Sequence, residues 1–229
     1  MKADLHVHTE FSDGRDPPEV MIEAAEARGL KLLAITDHGP ALHVGMKENE
    51  ISGYLSTLEN LRENAKLKLL VGIEANVLNE SGDIDIEEET REKLDILVLG
   101  IHRLWFVSDP REMALAYLRS LVNAIKKHKI DVVAHPFQFH GDLSRFLTID
   151  EIRELLEVAA NCGTAIEVNE KYRAPGEDFY RACLENGVML SVGTDSHRAE
   201  SVGRLDWVSG MLEKIGVSEG DLLYTRFLR

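Results

Sequence analysis

Apolar runs and turn signals alternate along this chain at a nearly fixed period. Seven short runs read as strands: KADLH ending at His6, KLLAIT at Thr36, KLLVGIE at Glu74, DILVLGIH at His102, DVVAH at His135, TAIEVN at Asn169 and VMLSVGTD at Asp195. Most are apolar at nearly every position, the pattern of strands covered on both faces. Between them lie segments with helical spacing of apolar residues. PPEVMIEAAEARG opens on prolines and closes on Gly29, and ENEISGYLSTLENLRENA and PREMALAYLRSLVNAIKKHK follow. Further helices are predicted from Ile149 to Asn161, over EDFYRACLENG, and from Val202 to Ile215. Strands alternating with helices predict parallel βαβ units. No linker, low-complexity tract or break in composition interrupts them, so residues 1–229 read as one domain.

The strand ends carry a second regularity. His6, His38, Glu74, His102, His135, Asn169 and Asp195 follow one another at intervals of 26 to 36 residues. Each interval is about one βα unit, for which ~30 residues is typical. A metal-capable or polar residue therefore closes every predicted strand. In a parallel barrel those C-terminal ends share the face on which active sites form. Seven units fit a chain of 229 residues and eight would be cramped. An open doubly wound sheet would spread the seven ends along a line, whereas a ring brings them to one centre. The predicted fold is α/β, a seven-stranded TIM-like (β/α)7 barrel.

Composition narrows the classes. A 44% hydrophobic and 29% charged chain is that of a soluble globular protein, and no apolar run approaches the ~20 residues that cross a bilayer. Asp4 and a histidine pair stand where a secretion signal needs an apolar stretch. Cys162 and Cys183 are too few for a disulfide framework. Together these predict a cytoplasmic protein with no membrane partner. A net charge of −14 disfavours a broad electrostatic hold on nucleic acid. Nothing in the pattern specifies an oligomeric state.

The candidate chemistry gathers at the strand ends. In DLHVHT, His6 and His8 share a face if the strand persists that far. With Asp13, His38, Glu74, His102, His135, Asp195 and His197 they make a set of six imidazoles and three carboxylates. That mixture, without cysteine, suits Zn, Mn or Fe, because Ca and Mg prefer all-oxygen shells. Nine donors are too many for one tetrahedral ion but enough for two or three with bridging carboxylates. The alternative, unrelated hydrogen-bonded histidines, requires a separate coincidence at each strand end. His128 lies outside the set at a helix C-terminus, where a cation complements the dipole. His43 and His140 follow ligand-bearing strands and are placed for contacts at the rim. Asp37 faces away from His38 along the strand and reads as support for it.

The motifs DLHVHT, ITDHG, VGIE, GIH, AHP and GTDSH occur in an order and at strand-end positions that resemble the PHP (polymerase and histidinol phosphatase) family across nearly the whole chain. The resemblance implies a distorted seven-stranded barrel with a trinuclear metal site. By position its ligands fall on His6, His8, His38, Glu74, His102, His135, Asp195 and His197. Asp13 lies in a loop of variable length where some members carry histidine; without it, a two-metal site is implied. The implied activity is hydrolysis of phosphate esters: clustered divalent ions activate a bridging water and clamp the phosphoryl oxygens in an in-line displacement. Asp195, His197 or a bound water would protonate the leaving group. Arg173 in NEKYRAPG and Arg198 after His197 are the expected phosphate partners, with Arg103 third. RLWFVSD and PFQFHGD offer aromatic surface to a substrate or simply pack the rim. A small phosphomonoester is the leading expectation. Alternatives are a nuclease or phosphodiesterase acting on nucleic-acid 3′ ends, and a non-catalytic, metal-stabilised interaction domain.

Overall fold

The computed structural model describes residues 1–104 and 108–228. In chain order the strands and helices are β1 (Ala3–Asp4), α1 (Pro18–Ala27), β2 (Leu32–Ile35), α2 (Glu48–Arg62), β3 (Lys68–Asn76), α3 (Glu88–Arg91) and β4 (Ile96–Gly100). Then come α4 (Pro110–Lys127), β5 (Val132–Val133), α5 (Ile149–Cys162), β6 (Ala165–Asn169), α6 (Glu177–Glu185), β7 (Leu190–Gly193), α7 (Asp206–Ile215) and α8 (Tyr224–Phe227).

All seven strands pair in parallel in the order β1 to β7. Leu33 stands opposite Leu69, Glu74 opposite Val98, Val132 opposite Ala165 and Val168 opposite Val192. The ring is drawn together between first and last strands: Leu5 N donates to Val192 O, Asp195 N to His6 O and His8 N to Ser196 O, at 2.8–2.9 Å. The result is an α/β, TIM-like barrel of seven parallel strands, nearly closed. Its strands are buried along almost their whole length because helices cover the outer face.

The helices form where apolar spacing and end chemistry agree. On α5, Ile152, Leu155, Leu156 and Ala159 recur on one face and are buried. Its first turn is closed by a capping box, Thr148 with Glu151. On α4, Asp109 accepts from Glu112 N and Pro110 opens the helix, satisfying or removing backbone donors that would lack a partner. Among the described residues, no helix is long and apolar enough to cross a membrane.

Three details differ from the sequence pattern. The ladders of β1 and β5 span two residues each, so His6 and His135 lie just past regular pairing. The helix expected from Val202 begins only at Asp206, because Gly203 N is held by Asp4 Oδ2 and Arg204 N by Ser201 O. The single turns α3 and α8 were not marked by any long apolar period.

Candidate metal centre

The C-terminal ends of the strands converge on Glu74, whose side chain is fully buried. Its Oε2 lies 3.2 Å from His6 Nε2, 3.5 Å from His8 Nε2 and 2.9 Å from His38 Nδ1. Its Oε1 lies 3.3 Å from His102 Nε2 and 3.0 Å from His135 Nε2. A second carboxylate, Asp195, approaches His8 Nε2 at 3.5 Å. The third, Asp13, sits 3.2 Å from His197 Nε2, 3.8 Å from His38 Nε2 and 3.9 Å from His8 Nδ1. All nine residues singled out in the sequence are thus brought together.

These residues form four overlapping groups whose donor atoms lie within 4.8 Å of one another: His8, Asp13, His38, His197; His6, Glu74, His135; His6, His8, Asp195; and His38, Glu74, His102. Divalent cations fit this donor set. His6 Nε2 and His8 Nε2 face each other at 3.0 Å, both nearly free of solvent. The buried Nδ1 atoms of His8 and His135 have no hydrogen-bond partner among the described residues. Buried polar atoms left so are rare, and a cation bound among these rings would satisfy them.

Neighbouring groups fix which nitrogen faces inward. His6 Nδ1 donates to Glu167 Oε1 at 2.9 Å, His102 Nδ1 to Asn76 Oδ1 at 2.7 Å and His197 Nδ1 to the Asp195 carbonyl at 2.9 Å. Each directs the Nε2 lone pair of its ring toward the centre. Glu167 Oε2 also accepts from His135 N at 2.6 Å and Asn169 Nδ2 at 3.0 Å. Asp37 takes the supporting place read from its position: it accepts from Thr9 N, Thr9 Oγ1 and Ser12 Oγ at 2.6–2.7 Å, shaping the loop that presents Asp13.

Two glycines leave room for this crowding. A Cβ on Gly100 would overlap Glu74 Oε1 and the His102 ring, and one on Gly193 would overlap Glu167 Oε1 and the His6 side chain. His135 and Asp195 hold left-handed backbone conformations, φ 27° and 52°. Such strain is characteristic of sites where geometry is imposed by function.

Burial alone would raise the Glu74 carboxyl, but His38, His102 and His6 hold it well below the ordinary value. Burial would lower His6, yet Glu167 and Glu74 carry it well above. For His8, burial and the neighbouring His38 and His6 all push the same way, well below. Burial raises Asp13, but the hydrogen bond to His197 and the charge of His38 outweigh it and lower the group.

Asp13, His102 and His197 keep 29%, 23% and 24% of their side chains exposed, so the cluster opens to solvent on that side. There a cavity of about 340 Å³ is bordered by His43, Arg103, Lys171 and Tyr172 as well as by the donors. Lys171 Nζ is 3.0 Å from Asp195 Oδ2, and the Tyr172 ring meets the edge of His135 at 5.2 Å between centroids. Arg173 and Arg198 line the adjoining cavity, and Arg173 is also paired with Glu170 at 2.9 Å. Arg103 is the arginine that lines the cavity over the histidines. His140 is exposed beside Phe139, away from that cavity, and Phe137 is core, packed on Tyr117 and Phe179. His128 closes α4. Trp105 and Phe106 lie outside the described residues.

Glu167, Asn76, Lys171 and Tyr172 were not singled out by sequence. An acid inside the apolar run TAIEVN was the available signal for Glu167. Asn169, which ends that strand, turns instead to accept from Lys171 N and Tyr172 N and shapes the turn that carries them.

Residues 4–171 match the sequence profile of the PHP domain. A protein named a probable phosphatase in Caldanaerobacter subterraneus subsp. tengcongensis is 32% identical over 97% of this chain and 86% of its own length. Another of that name, from Proteus mirabilis, is 30% identical over 97% of this chain and 89% of its own. The histidinol phosphate phosphatase of Lactococcus lactis, solved with zinc, L-histidinol and phosphate, shares the fold. It superposes with a TM-score of 0.69 over 95% of this chain and 94% of its own, at 20% identity. With the profile spanning most of the barrel and relatives aligned nearly end to end, this chain belongs to the PHP domain family.

Proposed function

We propose that this protein is a metal-dependent phosphatase that hydrolyses a small phosphomonoester. The observation that carries this reading is the cluster around Glu74: five imidazoles and a buried carboxylate within 3.5 Å, with unpartnered ring nitrogens, open to a cavity on one side. The phosphatase names of the relatives and the zinc and phosphate of the Lactococcus lactis enzyme support it. His6, His8, Asp13, His38, Glu74, His102, His135, Asp195 and His197 would hold two or three divalent ions, zinc, manganese or iron. Ions bound there supply an acidified water and neutralise charge on the phosphoryl oxygens.

The chain's own groups do the rest. Glu167 and Asn76 hold the rings of His6 and His102 in one tautomer. Lys171 and Arg103 set positive charge at the cavity wall, where it attracts the phosphate dianion. Arg198 and Arg173 approach from the adjoining cavity, which shares Lys171, Asp195 and His197 with the first. Asp195 and His197 also border the cavity, and whichever of them does not hold an ion, or a bound water, would pass a proton to the departing oxygen. The net charge of −14 favours a small ester over a nucleic-acid strand.

Elemental analysis of the purified protein, paired with phosphate release from a panel of monoesters and a nucleotide 3′-phosphate, tests the reading. Two or more equivalents of Zn, Mn or Fe with chelator-sensitive turnover are expected. One equivalent or less, with no turnover after the metals are resupplied, overturns it.

A further inference from the structure

A second cavity, of about 750 Å³, adjoins the one over the histidines; Lys171, Asp195 and His197 line both. Its walls carry four cations, Lys171, Arg173, Arg198 and Arg204, and, apart from the His197 ring, only polar and acidic side chains besides. Two of the three acids on its walls are already engaged. Glu170 holds Arg173 at 2.9 Å and accepts from Val208 N at 3.0 Å, and Asp195 holds Lys171 at 3.0 Å. Only Asp206 then offsets Arg198 and Arg204, whose guanidinium groups make no ion pair or hydrogen bond among the described residues. In a chain of net charge −14, so many cations beside the candidate centre, two of them without a partner, reverse the local sign. Guanidinium forks match the paired oxygens of phosphate or carboxylate.

We propose that this cavity is an anion subsite, which binds a second anionic group, phosphate or carboxylate, on the same small molecule whose phosphate ester lies over the histidines. The inference rests on the phosphatase reading and names its substrate class: compact molecules with an anion at each end. The cations repel an amine-bearing tail. Specificity thus comes from the far end of the substrate, through Arg173, Arg198 and Arg204, none of which pairs with a metal-binding donor.

Two matched pairs of substrates test this with the metal-loaded enzyme: fructose bisphosphate against fructose monophosphate, and phosphoglycerate against glycerol phosphate. Wild type should prefer the doubly anionic member of at least one pair, and which pair shows it tells phosphate from carboxylate. In Arg204→Gln the ratio of kcat/KM within that pair should fall about tenfold, the scale of one charge-assisted hydrogen bond. Arg204→Lys should retain most of it, and thermal melts confirm that both variants are folded. A wild-type ratio of unity in both pairs, or a ratio unchanged in Arg204→Gln, overturns the subsite. Calorimetric titration with inorganic phosphate separates this outcome from failure of the phosphatase reading. If wild type turns over none of the esters, weaker phosphate binding by Arg204→Gln supports the subsite alone, and equal binding overturns it.

Discussion

At the scale of single residues, the most informative side chain is one that faces no cavity. Glu167 uses both oxygens: Oε1 accepts from His6 Nδ1, and Oε2 accepts from His135 N and Asn169 Nδ2. An amide in its place has one accepting oxygen, so its NH2 group must confront the donors on one side or the other. Either way, His6 or the backbone of His135 loses its anchor while the nine donors keep their identities. Glu167→Gln is therefore expected to lower metal affinity or kcat by ~10–100-fold, the range for groups that orient metal ligands. Equilibrium dialysis against zinc and steady-state kinetics would measure it, and wild-type values in both would remove Glu167 from the centre. Most of the donors were legible in the sequence because the apolar runs end at or just before them, while Asp13, in the loop after β1, was legible only through the motif that precedes it. Glu167 was not, since the apolar run continues past it to Val168 and Asn169 took the place of the strand end. Lys171 and Tyr172 were missed because the turn after Asn169 has no period to read.

At the scale of elements, the alternation of strands and helices could be read because burial on both faces leaves continuous apolar runs. Boundaries were less legible: hydrogen bonds from distant residues set them, as where Asp4 holds Gly203 and delays α7 to Asp206. One boundary is both legible and testable. Thr148 and Glu151 cap α5 reciprocally, and Glu151 also meets Arg111 across to α4. Thr148→Ala should cost ~1 kcal/mol in urea unfolding. The hydrogen bond from Arg111 and that from Thr148 N hold the Glu151 carboxyl down, from an ordinary 4.5 to about 2. Because the folded state binds the proton more weakly, this contribution is complete above pH 4.5 and is lost as pH falls toward 2. The difference in urea midpoint between wild type and Glu151→Gln should shrink across that window. Metal-free protein is the proper sample, since acid release of metal would otherwise intrude. A difference that does not change with pH would mean that the ionised carboxylate adds nothing to the cap.

At the scale of the whole molecule, the donors and the closure of the barrel are one feature. His6 and His8 follow β1, His38 follows β2, Glu74 lies on β3, His102 follows β4, His135 follows β5, and Asp195 and His197 follow β7. Glu167 on β6 reaches the same centre through His6 and His135. Every strand end is thus tied to the candidate centre. The seam between β1 and β7 is joined both by backbone hydrogen bonds and by the approach of His8 to Asp195. Ions held there would cross-link the ring, and their removal would leave buried imidazoles crowded together, with Nδ1 of His8 and His135 unpartnered among the described residues. A site filled at a thousand times its Kd stabilises the folded state by ~4 kcal/mol. For a chain of this length each kcal/mol moves Tm by roughly 2–4 °C. Chelation should accordingly lower Tm by on the order of 10 °C, reversibly on resupply of metal. Hydrogen exchange should show the lost protection at β1 and β7 before it shows at α5, whose cap lies outside the ring of donors. An unchanged Tm after complete removal of metal would mean that the backbone seam alone closes the barrel and that the cluster serves chemistry without holding the fold.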